Sequence, residues 1–135
     1  MFPILYIFSD WTILFLRLVL GVILLAHGWP KIKDLKTAAD NFLAMGFKPA
    51  RFWATVVAIA EFFGGVALIL GIYVQTVAFI FVIEFFVINV WRIRRKQPLA
   101  GGFEFDLLIL AASAALVTLG GGILSVDKFL FLLGY

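Results

Sequence analysis

With 135 residues, of which 64% are hydrophobic and only 14% charged, the chain departs from a soluble domain, where about 25% of residues carry charge. Its net charge of +3 is too small and too localised to argue for a nucleic-acid partner. The absence of cysteine removes disulfides, thiolate metal sites, iron–sulfur ligation and thiol–quinone exchange.

Four apolar stretches, at 11–28, 52–70, 74–91 and 103–119, each run roughly 17–19 residues, about 26–29 Å of helix against a hydrocarbon core of about 30 Å. They predict an all-α fold: an integral membrane four-helix bundle, one domain over 1–135, with a short amphipathic interfacial helix between helices one and two. The N-terminus has no basic leader and no small-x-small cleavage site, so a cleaved signal peptide is not expected. Ser9 and Asp10 are expected to cap helix one, with Trp11 at the interface, and Pro30 to end it near Gly28. In residues 33–46, Leu35, Ala38, Ala39, Phe42 and Leu43 fall on one face and Lys36, Asp40 and Asn41 on the other. That pattern predicts a helix lying in the interface. Gly46 is expected to stop it and Pro49 to open helix two. Gly71 and residues 72–76 predict a tight turn, and residues 91–102 a flexible connection. The glycines at 120–122 break the chain before an apolar tail that lies at the interface or packs back.

Orientation follows from Lys and Arg. Lys31, Lys33, Lys36, Lys48 and Arg51 lie in the loop 29–51, and Arg92, Arg94, Arg95 and Lys96 in the loop 92–103; these are nine of the 11 basic residues. The positive-inside rule places both loops in the cytoplasm and both termini outside the inner membrane.

Glu61 is the only charge between residues 52 and 70. A centred acid costs about 2.5–3.5 kcal/mol to insert, against about 0.3–0.6 kcal/mol returned by each Leu, Ile, Phe or Val. Ala54, Ala58 and Gly65 share its face, so Glu61 is expected to point inward at a neighbouring helix. Arg17 lies about 9 Å below the outer end of helix one and Glu61 about 14 Å below that of helix two, which makes Arg17 the expected partner. Gly21 and Gly28, on the Arg17 face, permit close packing. Such a pair either fixes helix register or forms the floor of a ligand or proton site. Glu84, at mid-depth in helix three, adds a second acid to the layer. Two carboxylates beside one guanidinium do not both ionise easily. Glu84 is therefore expected to keep its proton and donate to a ligand oxygen, or to face lipid or a partner subunit.

A second polar cluster is expected at the cytoplasmic end, from His27 and Lys31, Asn89 and Arg92, and Glu104 and Asp106. No metal site is expected from one histidine without ligand spacing. Ser9, Ser113 and Ser125 have no base beside them, and 120–122 lacks the lysine of a phosphate loop. The ligand or polar-network residues are thus Arg17, Glu61, Glu84, His27, Lys31, Asn89 and Glu104, with no catalytic residue assigned.

An arginine in helix one, "HGWPK" at its end, "AEFFGGVALILG" in helix two, "GGFE" opening helix four and "GGGILSVD" near the C-terminus together resemble the DoxX family. The resemblance covers nearly the whole chain and implies a four-helix membrane bundle. It also implies that Arg17, His27, Gly28, Lys31, Glu61, Gly65, Gly71, Glu104 and Asp127 are signature positions. Helix three departs from the pattern, with Glu84 at an apolar position and Asn89 near a common histidine. Some relatives are membrane subunits of quinone-linked oxidoreductases, and others belong to oxidative-stress complexes. The implied function is a quinone- or lipid-binding membrane subunit of that kind, with no covalent cofactor. Its partners would be the bilayer, redox subunits or further copies of the chain. The alternative is a non-catalytic scaffold, assembly factor or cargo-type receptor whose buried charges are structural.

Overall fold

The computed structural model describes residues 3–134, which are helical almost throughout, with no strand among them. A short 3-10 segment, Pro3–Phe8, leads into α1 (Ser9–Lys33). There follow α2 (Leu35–Ala44), α3 (Ala50–Leu70), α4 (Val74–Arg94), α5 (Glu104–Leu119) and α6 (Val126–Leu132). The segments α1, α3, α4 and Leu99–Leu119, which is α5 with the helical turn before it, are long and apolar enough to cross a membrane. The protein is a multi-pass helical bundle whose outer surface meets lipid.

Two boundaries differ from the sequence expectation. α1 does not stop near Gly28 but runs through Pro30 to Lys33, and Asp34 N bonds to Pro30 O at 3.0 Å. Proline withholds only the bond to the carbonyl one turn back, and packing on α3 holds the remaining turn in place. Ser9 and Asp10 do not cap α1. Apolar residues 4–8 continue the helical path backwards, which leaves Ser9 inside it. Asp10 Oδ1 instead accepts from Ile123 N at 2.9 Å.

α1 packs along α3 and α4 along α5, whereas the α3–α4 and α1–α5 seams are sparser. Glycines fix the α1–α3 register. A Cβ on Gly21 would lie 2.7 Å from Gly65 O, one on Gly65 2.7 Å from Gly21 O, and one on Gly28 2.5 Å from Phe62 N. The two backbones touch, a contact that small residues permit and larger ones forbid. Ala54, Ala58, Glu61, Gly65 and Leu68 are the buried face of α3.

One end of the bundle is closed by the chain after α5. Arg17, buried, donates Nε to Leu68 O (3.1 Å), Nη1 to Leu124 O (3.0 Å) and Gly121 O, and Nη2 to Ile69 O (3.5 Å). It thereby satisfies open carbonyls at the end of α3 and pins the following loop. Gly71 ends α3 in the left-handed region (φ +76°), and a Cβ there would lie 2.7 Å from that of Ser125. Only glycine meets both demands. Asp127 accepts from Tyr73 N (2.7 Å) and Val74 N (2.9 Å), which caps α4 with a negative charge. The tail packs back, then exposes Phe129, Phe131 and Leu132 along α6.

Candidate functional site

At the other end, where the Lys- and Arg-rich connections lie, the helices part around a cleft of about 840 Å³. That falls within the range of about 300–1,000 Å³ typical of small-molecule sites. Its walls are mainly apolar, with Trp53, Val56, Ile83, Phe85 and Ile109 among them, and α2 roofs it through Ala38, Phe42 and Met45. α2 is held at both ends. Asp34 caps it, accepting from Thr37 Oγ1 (2.7 Å) and Thr37 N (3.0 Å). These bonds, side chain first, hold the Asp34 carboxyl below its usual value. At the far end Trp91 Nε1 of α4 donates to Met45 O at 2.9 Å.

Charged side chains face this apolar space. Lys31 Nζ lies 2.5 Å from Glu61 Oε2, an ion pair whose acid is almost fully buried. Glu84 stands beside Glu61, and its Oε1 is buried with no hydrogen-bond partner. Buried polar atoms are satisfied in the great majority of cases, so this oxygen is an exception that calls for an explanation. On the opposite flank Arg92 pairs with Asp106, and Arg92 Nη1 donates to Gln97 Oε1 at 2.9 Å. The cleft therefore offers an ammonium donor and carboxyl oxygens within a greasy enclosure. Such a lining suits an amphiphile with a small hydrogen-bonding head.

The expected Arg17–Glu61 pair does not exist. Gly28 packs against the backbone at Glu61 and Phe62, and Arg17 lies 11 residues earlier, about 16 Å along the helix. The expectation took Trp11 as the end of helix one, but α1 overhangs α3 at the closed end and moves Arg17 level with Leu68 and Ile69. Glu104 is also outside the network: it is exposed and accepts only from Gly101 N, at 3.0 Å in the turn before α5. His27 is exposed rather than part of a buried cluster. It lines the cleft with its ring 5.9 Å from that of Phe105. Asn89 is buried, but its Nδ2 donates to Phe85 O of its own helix (2.6 Å) and its Oδ1 has no partner. Of the seven expected residues, the structure gathers Lys31, Glu61, Glu84 and His27 at the cleft.

A family model described as DoxX matches residues 12–92. The chain belongs to the DoxX family. It is 30% identical over 118 residues to "Putative oxidoreductase CatD" of Bacillus subtilis (strain 168), an alignment covering 87% of this chain and 86% of the relative. No solved structure gives a significant match. Of the positions that the resemblance implies, Gly28 and Gly65 lie at the α1–α3 contact and Glu104 lies outside the cleft. Arg17, Gly71 and Asp127 build the closed end, while His27, Lys31 and Glu61 face the cleft. The Lys31–Glu61 contact departs from the sequence expectation, which ends helix one near Gly28 and leaves Lys31 in the following loop. Its signal was present in the glycines, since pairing Gly21 with Gly65 brings the last turns of α1 beside Glu61.

Proposed function

We propose that this DoxX chain is an inner-membrane subunit that holds a quinone, quinol or similar lipid-like molecule in the cleft. It works with an oxidoreductase or an oxidative-stress complex. The observation that carries this reading is the unpartnered, buried Glu84 Oε1 beside the Lys31–Glu61 pair in an apolar cleft. Lys31, Glu61 and Glu84 would hold the polar head of such a molecule, and the apolar walls would exclude water from it. The bound group would supply the two-electron chemistry; the chain, with no cysteine, supplies binding, orientation and hydrogen bonds at the head. The oxidoreductase name of the Bacillus subtilis relative supports the same class. The basic end would face the cytoplasm and both termini the outside, by the charge asymmetry of the loops.

A second reading, a scaffold, assembly factor or cargo-type receptor, is favoured by the closed end, where Arg17 and Asp127 are spent on backbone groups. Native mass spectrometry of gently extracted protein separates the two. A quinone-sized mass on the unmodified protein, kept in Glu84→Gln and lost in Glu84→Ala, is the expected result. Partner subunits without any bound amphiphile would overturn the first reading and favour the second.

A further inference from the structure

A second cavity, of about 290 Å³, lies between α3 and α4 on the lipid-facing side. It is lined by apolar residues alone, among them Phe63, Gly64, Val77 and Phe81. Ile59, Phe63 and Ile80 are about half exposed, so the groove is open to the bilayer. Ala60 and Ile80 line both this groove and the charged cleft, so the two spaces adjoin at these residues. Their junction lies beside the polar groups: Glu61 is next in sequence to Ala60, and Glu84 stands one turn beyond Ile80 on the same face of α4.

The other sides of the cleft are partly covered. α2 roofs the basic end and is tied to α4 by the Trp91–Met45 bond. The opposite end is shut by Arg17 and the chain it pins. Between α1 and α5, the His27 ring lies against Phe105. The α3–α4 seam, sparse like the α1–α5 seam, is the one that carries the groove. Along it, Ala60, Gly64 and Ala67 recur at helical spacing on α3, which keeps the floor of the groove low enough to admit a chain.

We infer that the α3–α4 groove holds the hydrocarbon tail of the amphiphile whose head occupies the cleft, and that it opens the cleft sideways into the bilayer. This rests on the reading of the cleft as an amphiphile site. Ala67→Phe would fill the groove with a ring at a residue that does not line the cleft, so that a tail could no longer lie there.

The test uses the full chain in lipid nanodiscs with two probes, a decyl-substituted benzoquinone and the same ring without the tail. Binding is read as saturable quenching of Trp53, which lines the cleft. Ala67→Phe is expected to weaken the tailed probe at least tenfold and to leave the tail-less probe unchanged. A decyl probe with a photoreactive diazirine at the tail end, on unmodified protein, is expected to label α3 and α4 in a manner competed by the unlabelled compound. Equal weakening of both probes, no weakening of either, or competed labelling on α1 and α5 would each overturn the tail site while leaving the cleft reading intact. No saturable binding of either probe to the unmodified protein would sink the cleft reading and this inference with it.

Discussion

Lys31 and Glu61 carry the largest single electrostatic commitment in the open half of the bundle. Glu61 is almost fully buried, so removing its partner strands a charge in an apolar setting, at a typical cost of about 3–5 kcal/mol. Lys31→Met and Glu61→Leu should each lower stability by about 3 kcal/mol in chemical unfolding of the detergent-solubilised protein, with the glutamate change milder because the Lys31 it leaves behind is partly exposed. The double variant should recover most of the loss. Arg17→Met with Glu61→Leu should instead be additive within about 0.5 kcal/mol, since the two sites share no partner. Recovery in that second pair would mean that Arg17 reaches Glu61 after all.

Among the elements, α1 and α3 form the most tightly specified unit, because their contact is backbone on backbone. Gly28→Ala sets a methyl group 2.5 Å from Phe62 N and 2.9 Å from the Glu61 carbonyl carbon, neither of which can rotate away. An overpacking loss of about 1–3 kcal/mol is expected. It should come with a disturbed Lys31–Glu61 pair, visible as a shift of the carboxylate infrared band in spectra compared with Glu61→Gln. α2 depends on its cap instead. The Asp34 carboxyl is held below its ordinary value of 3.8 by Thr37, so its contribution is complete above that value and is lost as pH falls through the lower folded one. Amide exchange at Thr37 should therefore stay slow down to the ordinary carboxylate range and accelerate only below it. Asp34→Ala should exchange fast at every pH. A Thr37 amide that opens above about pH 5, clear of the ordinary carboxylate range, would show that the cap is not formed.

At the scale of the whole molecule, the two halves are built differently. One end is sealed by Arg17, Gly71 and Asp127 acting on main-chain groups, and most of the buried apolar cluster, from Leu68 and Val74 to Phe81 and Leu116, fills the bundle on that side. The other half trades packing for a cleft that holds the Lys31–Glu61 and Arg92–Asp106 pairs and the unpartnered Glu84 Oε1. This asymmetry follows the charge asymmetry of the loops. If the basic end faces the cytoplasm, cysteines at Ala100 and Gly134, both exposed, should label from opposite sides with a membrane-impermeant reagent. Labelling from the same side would overturn the four-crossing arrangement.

The sequence by itself determined the four crossings, the short amphipathic helix, the small-residue face of α3 and the family. Each of these is written in local composition or in a repeat of a few residues, and hydrophobic length and helical period need no knowledge of neighbours. The helix ends were less legible: Pro30 marks a stop by local preference, yet tertiary packing carries α1 one turn further. Only the tertiary structure decided which charges meet. Arg17 and Lys31 are equivalent partners for Glu61 on charge alone. The choice between them depends on how far α1 slides along α3, which is set by where Gly21, Gly28 and Gly65 let two backbones touch. The cleft likewise could not be read from any one segment, because it is the space left when two well-packed helix pairs are sealed together at one end and held apart at the other.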